Sequence, residues 1–334
     1  MALKNVSAKL KVGGPATNGP AVWVPEFVEF CENNSVPYDF VSSHLYAGSR
    51  TGEIADVSVV VDGVNQAQKT IKGQHPWLVT EWSADAVAND WHYQPQAQYH
   101  ELPASAAFVI ACVDAVLANT SAAAHLRPFV LSYWVFSDVF QEGGFPTVNS
   151  SFHGGFGLIN LYGVPKPAFR AFELMANLTG RRLPLAAEDA SSTGGPCAEQ
   201  VRVLGTWDDA RGRLQLLVAN HAPQLGNSTA SSSCNVTVRV ETDRRGCTAV
   251  ANASVRRIDD EHANPRQKWI DLGMPQYPSR AQNAEIAAAS EAPPLPRFGE
   301  GEGVELSNGS VVARVRMPAY SVAALDVSLR CKSQ

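Results

Sequence analysis

The chain has 334 residues, 45% hydrophobic and 18% charged, an ordinary globular composition that excludes wholesale disorder and allows one large or two medium domains. A formal net charge of −5, with no basic run interleaved with aromatics, excludes an electrostatic nucleic-acid binder. No apolar stretch reaches the roughly 20 residues of a membrane-spanning helix.

From Lys9 onward, short apolar runs alternate with longer amphipathic ones, the pattern of successive strand–helix units on a parallel sheet. Strands are predicted at Lys9–Val12, leading into Gly13-Gly14-Pro15, and at Tyr38–Tyr46, Trp77–Trp82 and Phe129–Val135. Helices are predicted at Val22–Cys31, with Trp23, Phe27 and Phe30 on one face, at Pro103–Asn119, and at Pro165–Leu178, with Phe169, Phe172 and Leu174 inward. A closed barrel of such units uses eight strands and about 250 residues. Four strands make the C-terminal half of a (β/α)8 TIM barrel, with two open edges that a folded protein has to cover. The expectation is an N-terminally truncated α/β catalytic domain over residues 1–185.

Leu185–Pro196 is small, polar and aperiodic, and places a boundary there. Beyond it, Arg213–Asn220, Asn235–Val240, Ala249–Ile258, Val311–Val315 and Tyr320–Leu329 alternate apolar and polar residues between turn formers, which predicts an all-β sandwich over 197–334. Gln276–Gly303, rich in Pro and Ala, is expected to wrap the surface.

Six cysteines divide unevenly: Cys31 and Cys112 fall in helical patterns, whereas Cys197, Cys234, Cys247 and Cys331 lie in the last part of the chain. None has zinc-ligand spacing. The last four allow two disulfides in three connectivities, and the first two are expected to pack as small apolar residues. Nine of the 17 asparagines (Asn5, Asn33, Asn119, Asn149, Asn177, Asn227, Asn235, Asn252 and Asn308) stand in Asn-X-Ser/Thr acceptors, which points to a glycosylating, oxidising compartment. The first residues lack the apolar core of a signal peptide. Together these suggest a missing N-terminus and a secreted, lysosomal or vacuolar glycoprotein.

Leu78-Val79-Thr80-Glu81-Trp82 is an apolar strand that ends on a carboxylate among aromatics. Strand C-terminal ends build the active sites of βα-barrels, and such a carboxylate can face an oxocarbenium-like transition state. His44 and Tyr46 end the preceding strand and project to one side by its two-residue period, so both can reach Glu81. Trp134, at the end of the last strand, offers a ring face to a sugar. In the loop after it, Asp138 reads as a cap or turn former, and Glu142 as a contact to sugar hydroxyls. His153-Gly154-Gly155-Phe156-Gly157 lacks the Lys-Ser/Thr of a phosphate-binding loop, and its glycines are expected to let the backbone approach the pocket. No Gly-X-Ser-X-Gly elbow occurs, His92, His100 and His153 do not group for a metal, and no cofactor is implied. Retaining glycoside hydrolysis needs two carboxyl groups, and Glu81 is the one convincing candidate.

These residues, with Lys11-Val12-Gly13-Gly14-Pro15-Ala16, Asp39 to Tyr46, Thr80-Glu81-Trp82, Ser132 to Glu142, Gly154 to Asn160, Val164 to Phe169, Arg257 to Asn264, Trp269 and Gly273-Met274-Pro275, resemble glycoside hydrolase family 39, the group of β-xylosidases and α-L-iduronidase. The resemblance implies a retaining, cofactor-free glycosidase acting on an oligosaccharide or glycoside, more xylosidase-like than iduronidase-like. It makes Glu81 the nucleophile, and His44, Tyr46 and Glu142 residues that line the sugar subsite or orient it. Gln141 stands where similar β-xylosidases carry a second glutamate. The family's Asn-Glu-Pro segment, bearing the acid/base, is absent from the 334 residues, and nothing promotes Glu26, Glu53 or Glu101 to that role. Half a pocket without a proton donor implies a chain inactive, or nearly so, by itself. A second reading is a non-catalytic sugar-binding or structural secretory protein.

Overall fold

A computed structural model describes residues 2–47, 57–70, 75–84, 99–119, 130–139, 150–185, 197, 200–221, 233–242 and 246–331. The linker expected over 186–196 lies outside them. By spatial contact the chain forms two compact units, residues 1–88 with 112–136, and 89–111 with 137–334.

In the first unit, helix α1 (Ala2–Val6) precedes β1 (Gly13–Thr17), α2 (Val24–Asn33), β2 (Phe40–Tyr46), α3 (Val57–Thr70), β3 (Trp77–Ser83) and β4 (Val130–Tyr133). The strands form a parallel sheet in the order β1-β2-β3-β4. The central strands bury Val41, Leu45, Trp77, Val79 and Trp82.

The first strand lies later than predicted. Gly13-Gly14-Pro15 is the strand itself, because a Cβ on Gly13 would stand 2.2 Å from the Phe40 carbonyl oxygen; only glycine lets the two backbones approach that far. The inward face of α2 also differs from the prediction. Val24, Val28 and Cys31, at i, i+4 and i+7, are buried, whereas Trp23 and Phe30 are 70% and 60% exposed. Helix α3 was not anticipated, although Val60, Val64 and Ala67 are buried at the same spacing. Its Gly63 packs on Leu45, whose Cδ1 would lie 2.4 Å from an added Cβ.

Helix α4 (Pro103–Asn119) is apolar on every side and buried from Pro103 to Val116 apart from Val113, as a helix without a polar face must be. Among the described residues no helix is long and apolar enough to cross a membrane.

The second unit continues with α5 (Pro167–Ala176), β5 (Arg181–Leu183), β6 (Val201–Asp208), β7 (Arg213–Asn220), β8 (Cys234–Glu241), β9 (Cys247–Ile258), α6 (Pro265–Asp271), α7 (Arg280–Ala289), β10 (Gly303–Ser307), β11 (Ser310–Met317) and β12 (Ser321–Cys331). A five-stranded sheet in the order β5-β6-β7-β12-β9 packs against a three-stranded sheet, β10-β11-β8. One core joins them: Trp207, Leu214, Leu216, Val218, Leu325 and Val327 from the first meet Val238, Val240, Val311, Val315 and Met317 from the second. Each such side chain, fully buried, contributes about 1.5–3 kcal/mol.

The expected surface wrap over 276–303 contains α7, started by a capping box in which Ser279 and Gln282 bond each other's backbone. The inner face of α5 is Ala168, Ala171 and Leu174 with a buried Arg170, which donates to Ser290 and pairs with Glu291; Phe169 and Phe172 are only half-buried. The disulfides are Cys197–Cys234 and Cys247–Cys331. Cys31 and Cys112 are free and buried.

The second unit also holds an ionic centre. Lys166, Glu101 and Asp138 are all 0% exposed, and the Lys166 ammonium lies 3.0 Å from Glu101 Oε1 and 2.7 Å from Asp138 Oδ2. The three grip one short backbone run. Gly154 N donates to Glu101, Gly157 N donates to Asp138, and Lys166 donates to the Gly155 carbonyl. Asp138 is thus a turn residue as expected, and in addition a buried ion-pair partner, and the glycines make room for it. A Cβ on Gly155 would fall 2.3 Å from Asp138 Oδ1, and one on Gly157 2.2 Å from Asp138 N. Burial pushes the Glu101 carboxyl above its usual range against the pull of Lys166, with Asp138 adding to the rise. Burial alone would lower the Lys166 ammonium, but Asp138 and Glu101 outweigh it and hold its pKa up.

Removing the ammonium strands two buried carboxylates. Lys166→Met is expected to destabilise the fold by about 3–5 kcal/mol, read from the urea midpoint at constant m-value; a loss under about 1 kcal/mol contradicts the centre's role. The disulfides close spans of 37 and 84 residues. Replacing either pair by alanine is expected to cost roughly 4 kcal/mol through unfolded-state entropy, measured by thermal unfolding at matched pH.

Candidate active site

Glu81 stands on β3 next to β2, opposite His44 across the parallel pairing. Its carboxylate is held at both oxygens. The Tyr46 hydroxyl donates to Oε2 at 2.7 Å, a short bond of the charge-assisted kind, and His44 Nε2 lies 3.4 Å from Oε1. The other imidazole nitrogen, Nδ1, is 3.1 Å from Thr80 Oγ1, and the Thr80 hydroxyl donates to the Ser43 carbonyl at 3.3 Å. Ser43 Oγ in turn accepts from Trp77 Nε1 at 3.0 Å. A chain of polar contacts thus runs from the buried Trp77 to the carboxylate and fixes the imidazole at both ends. The Glu81 and His44 side chains keep 24% and 20% of their exposure, so the carboxylate is fixed without being sealed.

The aromatic wall continues onto β4. Trp82 and Tyr133 meet edge to face with centroids 5.4 Å apart, and Trp134 N donates to the Trp82 carbonyl at 3.0 Å. Tyr46, Glu81 and Trp134 therefore lie at the C-terminal ends of three neighbouring parallel strands, the end at which βα folds carry their chemistry. Trp134 is half-buried.

The structure thus brings His44, Tyr46 and Glu81 into direct contact and sets Trp134 at the same end of the sheet. Glu142, Gln141, Glu53 and His92 lie outside the described residues. Sequence reasoning treated Thr80 only as a flank of Glu81 and gave Ser43 no role; their bonds depend on strand register, which no residue spacing within one segment reveals. Among the described residues no three His, Cys, Asp or Glu side chains group as a metal ligand set.

This arrangement can present an oriented carboxylate to an electrophilic carbon at the C-terminal end of the parallel sheet. The family model of glycosyl hydrolases family 39 matches residues 1–296. A β-xylosidase of Caldicellulosiruptor saccharolyticus is 32% identical over 308 residues, covering 87% of this chain and 54% of its own length. The crystal structure of the family 39 enzyme from Xanthomonas axonopodis pv. citri superposes with a TM-score of 0.71 at 25% identity, over 98% of this chain and 62% of that one. That of a monomeric β-xylosidase from Caulobacter crescentus CB15 gives 0.71 at 25%, over 98% and 63%. The chain thus spans about half the length of the first curated relative it matches. With its parallel β/α sheet and separate sheet sandwich, and with most of its length matched by the family model, the chain belongs to glycosyl hydrolases family 39.

Proposed function

We propose that the chain carries the nucleophile side of a retaining glycoside hydrolase acting on β-D-xylosides, with Glu81 as the nucleophile. The reading rests on one observation above all: a carboxylate at a strand C-terminus, gripped at both oxygens by Tyr46 and His44 yet open to solvent. The β-xylosidases to which the chain is similar supply the sugar class.

Glu81 attacks the anomeric carbon as the bond to the leaving oxygen breaks, and water then hydrolyses the glycosyl ester with net retention. Tyr46 and His44 hold the carboxylate so that one lone pair faces the sugar, which removes the entropy of orienting it. Trp134 supplies a stacking face and Glu142 a hydroxyl contact. The leaving group takes its proton from a second carboxyl about 5–5.5 Å from the nucleophile; no Asn-Glu-Pro segment stands in the 334 residues to provide it. In this reading β1 to β4 are strands 5 to 8 of a (β/α)8 barrel, residues 1–185 form the catalytic part, and residues 197–334 the sandwich. The compartment is secretory, lysosomal or vacuolar, supported by two disulfides that persist only in oxidising surroundings.

The leaving group separates the roles of nucleophile and acid. Dinitrophenyl 2-deoxy-2-fluoro-β-xyloside needs no proton donor, so it is expected to label the chain on the Glu81 peptide, as mass spectrometry reads, and not to label Glu81→Gln. A label on another carboxylate overturns the assignment. Tyr46→Phe is expected to slow labelling roughly 10- to 100-fold, the worth of a hydrogen bond to a charged group. An alkyl β-xyloside, whose leaving group does need a proton, is expected to show no turnover above background by the 334-residue chain; measurable hydrolysis would mean that an acid/base lies within it.

A further inference from the structure

The nine asparagines in Asn-X-Ser/Thr acceptors and the eight outside them are used differently by the fold. Six acceptor asparagines have described side chains: Asn5, Asn33, Asn177, Asn235, Asn252 and Asn308, and all six are exposed. Among the described residues only Asn177 spends its carboxamide, on the Glu173 carbonyl at 2.9 Å; the other five make no side-chain hydrogen bond. Of the seven described asparagines outside the acceptors, Asn18 and Asn65 make no side-chain hydrogen bond, whereas the other five are used by the fold. Asn34 donates to Phe30, Asn160 accepts from Tyr162 and Val164, Asn220 donates to Met317 and Pro318, Asn264 caps α6 through Gln267, and Asn283 donates to Tyr162. A glycosylated carboxamide keeps one N–H but needs open space for the sugar, and exposed amides at the acceptor sites provide that space.

Two of the free acceptors also occupy matching places in the sandwich. Asn235 lies on β8, an edge of the three-stranded sheet, and Asn252 on β9, an edge of the five-stranded sheet. Among the described residues β8 bonds only to β11 within its sheet, and β9 only to β12. On its outer side β9 gains one backbone bond among the described residues, from Leu295 to Val255, which leaves the part that includes Asn252 open. Unpaired edges are templates for association between chains unless something blunts them.

We propose that Asn235 and Asn252 carry N-linked oligosaccharides and that these glycans cover the two open edges of the sandwich. The proposal rests on the secretory reading above. The donor is a lipid-diphosphate-linked oligosaccharide. Its C1–O bond to the diphosphate breaks, a C1–N bond to the carboxamide forms, and the amide proton leaves to balance the released lipid diphosphate. Thr237 and Ser254 are the hydroxyl residues of the two acceptors, and in an extended strand residues two apart share a face.

The test uses protein isolated from its source organism after cell fractionation. Deglycosylation by an amidase in water enriched in heavy oxygen converts each occupied asparagine to labelled aspartate, which peptide mapping locates. The expected result is label at both Asn235 and Asn252. Label at neither or at one, in protein recovered from the secretory fraction with both disulfides intact, overturns the site assignment and leaves the compartment standing. Unlabelled protein from the cytosol with reduced cysteines overturns both. For the covering role, T237A/S254A removes both acceptors and keeps both asparagines, while T237S retains the Asn235 acceptor as a control. The double variant is expected to lose label at both sites and to form higher-mass species in sedimentation while its circular dichroism is unchanged. A variant that stays as monodisperse as the glycosylated chain overturns the covering role.

Discussion

Strand β2 pairs with β3 with Val41 opposite Trp77 and Ser43 opposite Val79, and then slips one residue so that His44 faces Glu81 and Tyr46 faces Ser83. Unbroken register would place His44 against Thr80 and Leu45 against Glu81. Because side chains alternate between faces, a one-residue slip changes which neighbour each can reach. With the slip, His44 and Tyr46, two apart on β2, both meet the Glu81 carboxylate, and the imidazole still finds Thr80. The convergence on Glu81 depends on that irregularity, since regular register would put Leu45 rather than His44 opposite it.

The second unit solves a different problem with similar means. Three remote segments meet at Lys166, and the glycine run between Gly154 and Gly157 brings backbone donors to the same two carboxylates. A buried ion pair is poor evidence of net stabilisation, because desolvation offsets the attraction. Its consequence here is geometric. Lys166 meets Glu101, Asp138 and the Gly155 carbonyl at once, and Gly155 and Gly157 cannot bear a side chain while Asp138 is in place. An apolar replacement could fill the volume without specifying the path of that backbone.

Most strands of the sandwich were legible as short apolar runs between turn formers: Arg213–Asn220 matches β7, which is buried along nearly its whole length, and Asn235–Val240 lies within β8, which does alternate. What was missed has particular causes. Strand β1 is built of Gly, Pro, Ala and Thr, with no apolar run to announce it, since its role is close backbone approach to Phe40. Helix α2 was turned the wrong way because aromatic size outweighed spacing; Val24, Val28 and Cys31 carry the burial. Helix α3 was passed over because Gly63 and Asp62 interrupt its valines, although Gly63 is what lets it sit against Leu45. At the site, Glu81, His44 and Tyr46 were readable from their places at strand ends, whereas the roles of Thr80 and Ser43 exist only across the register. Asp138 does stand in a turn, as its place after a strand suggests, but its buried pairing was not legible because Lys166 lies 28 positions further along.

Two glutamates show how little titration alone identifies a catalytic acid. Glu101 has a carboxyl displaced upward by burial, the kind of perturbation that often marks functional groups. Yet its Oε1 is shared between Gly154 N and the Lys166 ammonium, and no part of its side chain reaches solvent, so a glycosidic oxygen has no path to it. Glu81 keeps a solvent-facing portion, with the Tyr46 hydroxyl on one oxygen and a His44 ring nitrogen 3.4 Å from the other. A nucleophile must be held and reachable together; a structural carboxylate needs only to be held. By that criterion the accessible carboxylate at the end of β3 is the candidate nucleophile of the proposal, and the carboxyl beside Lys166 is held as part of the architecture.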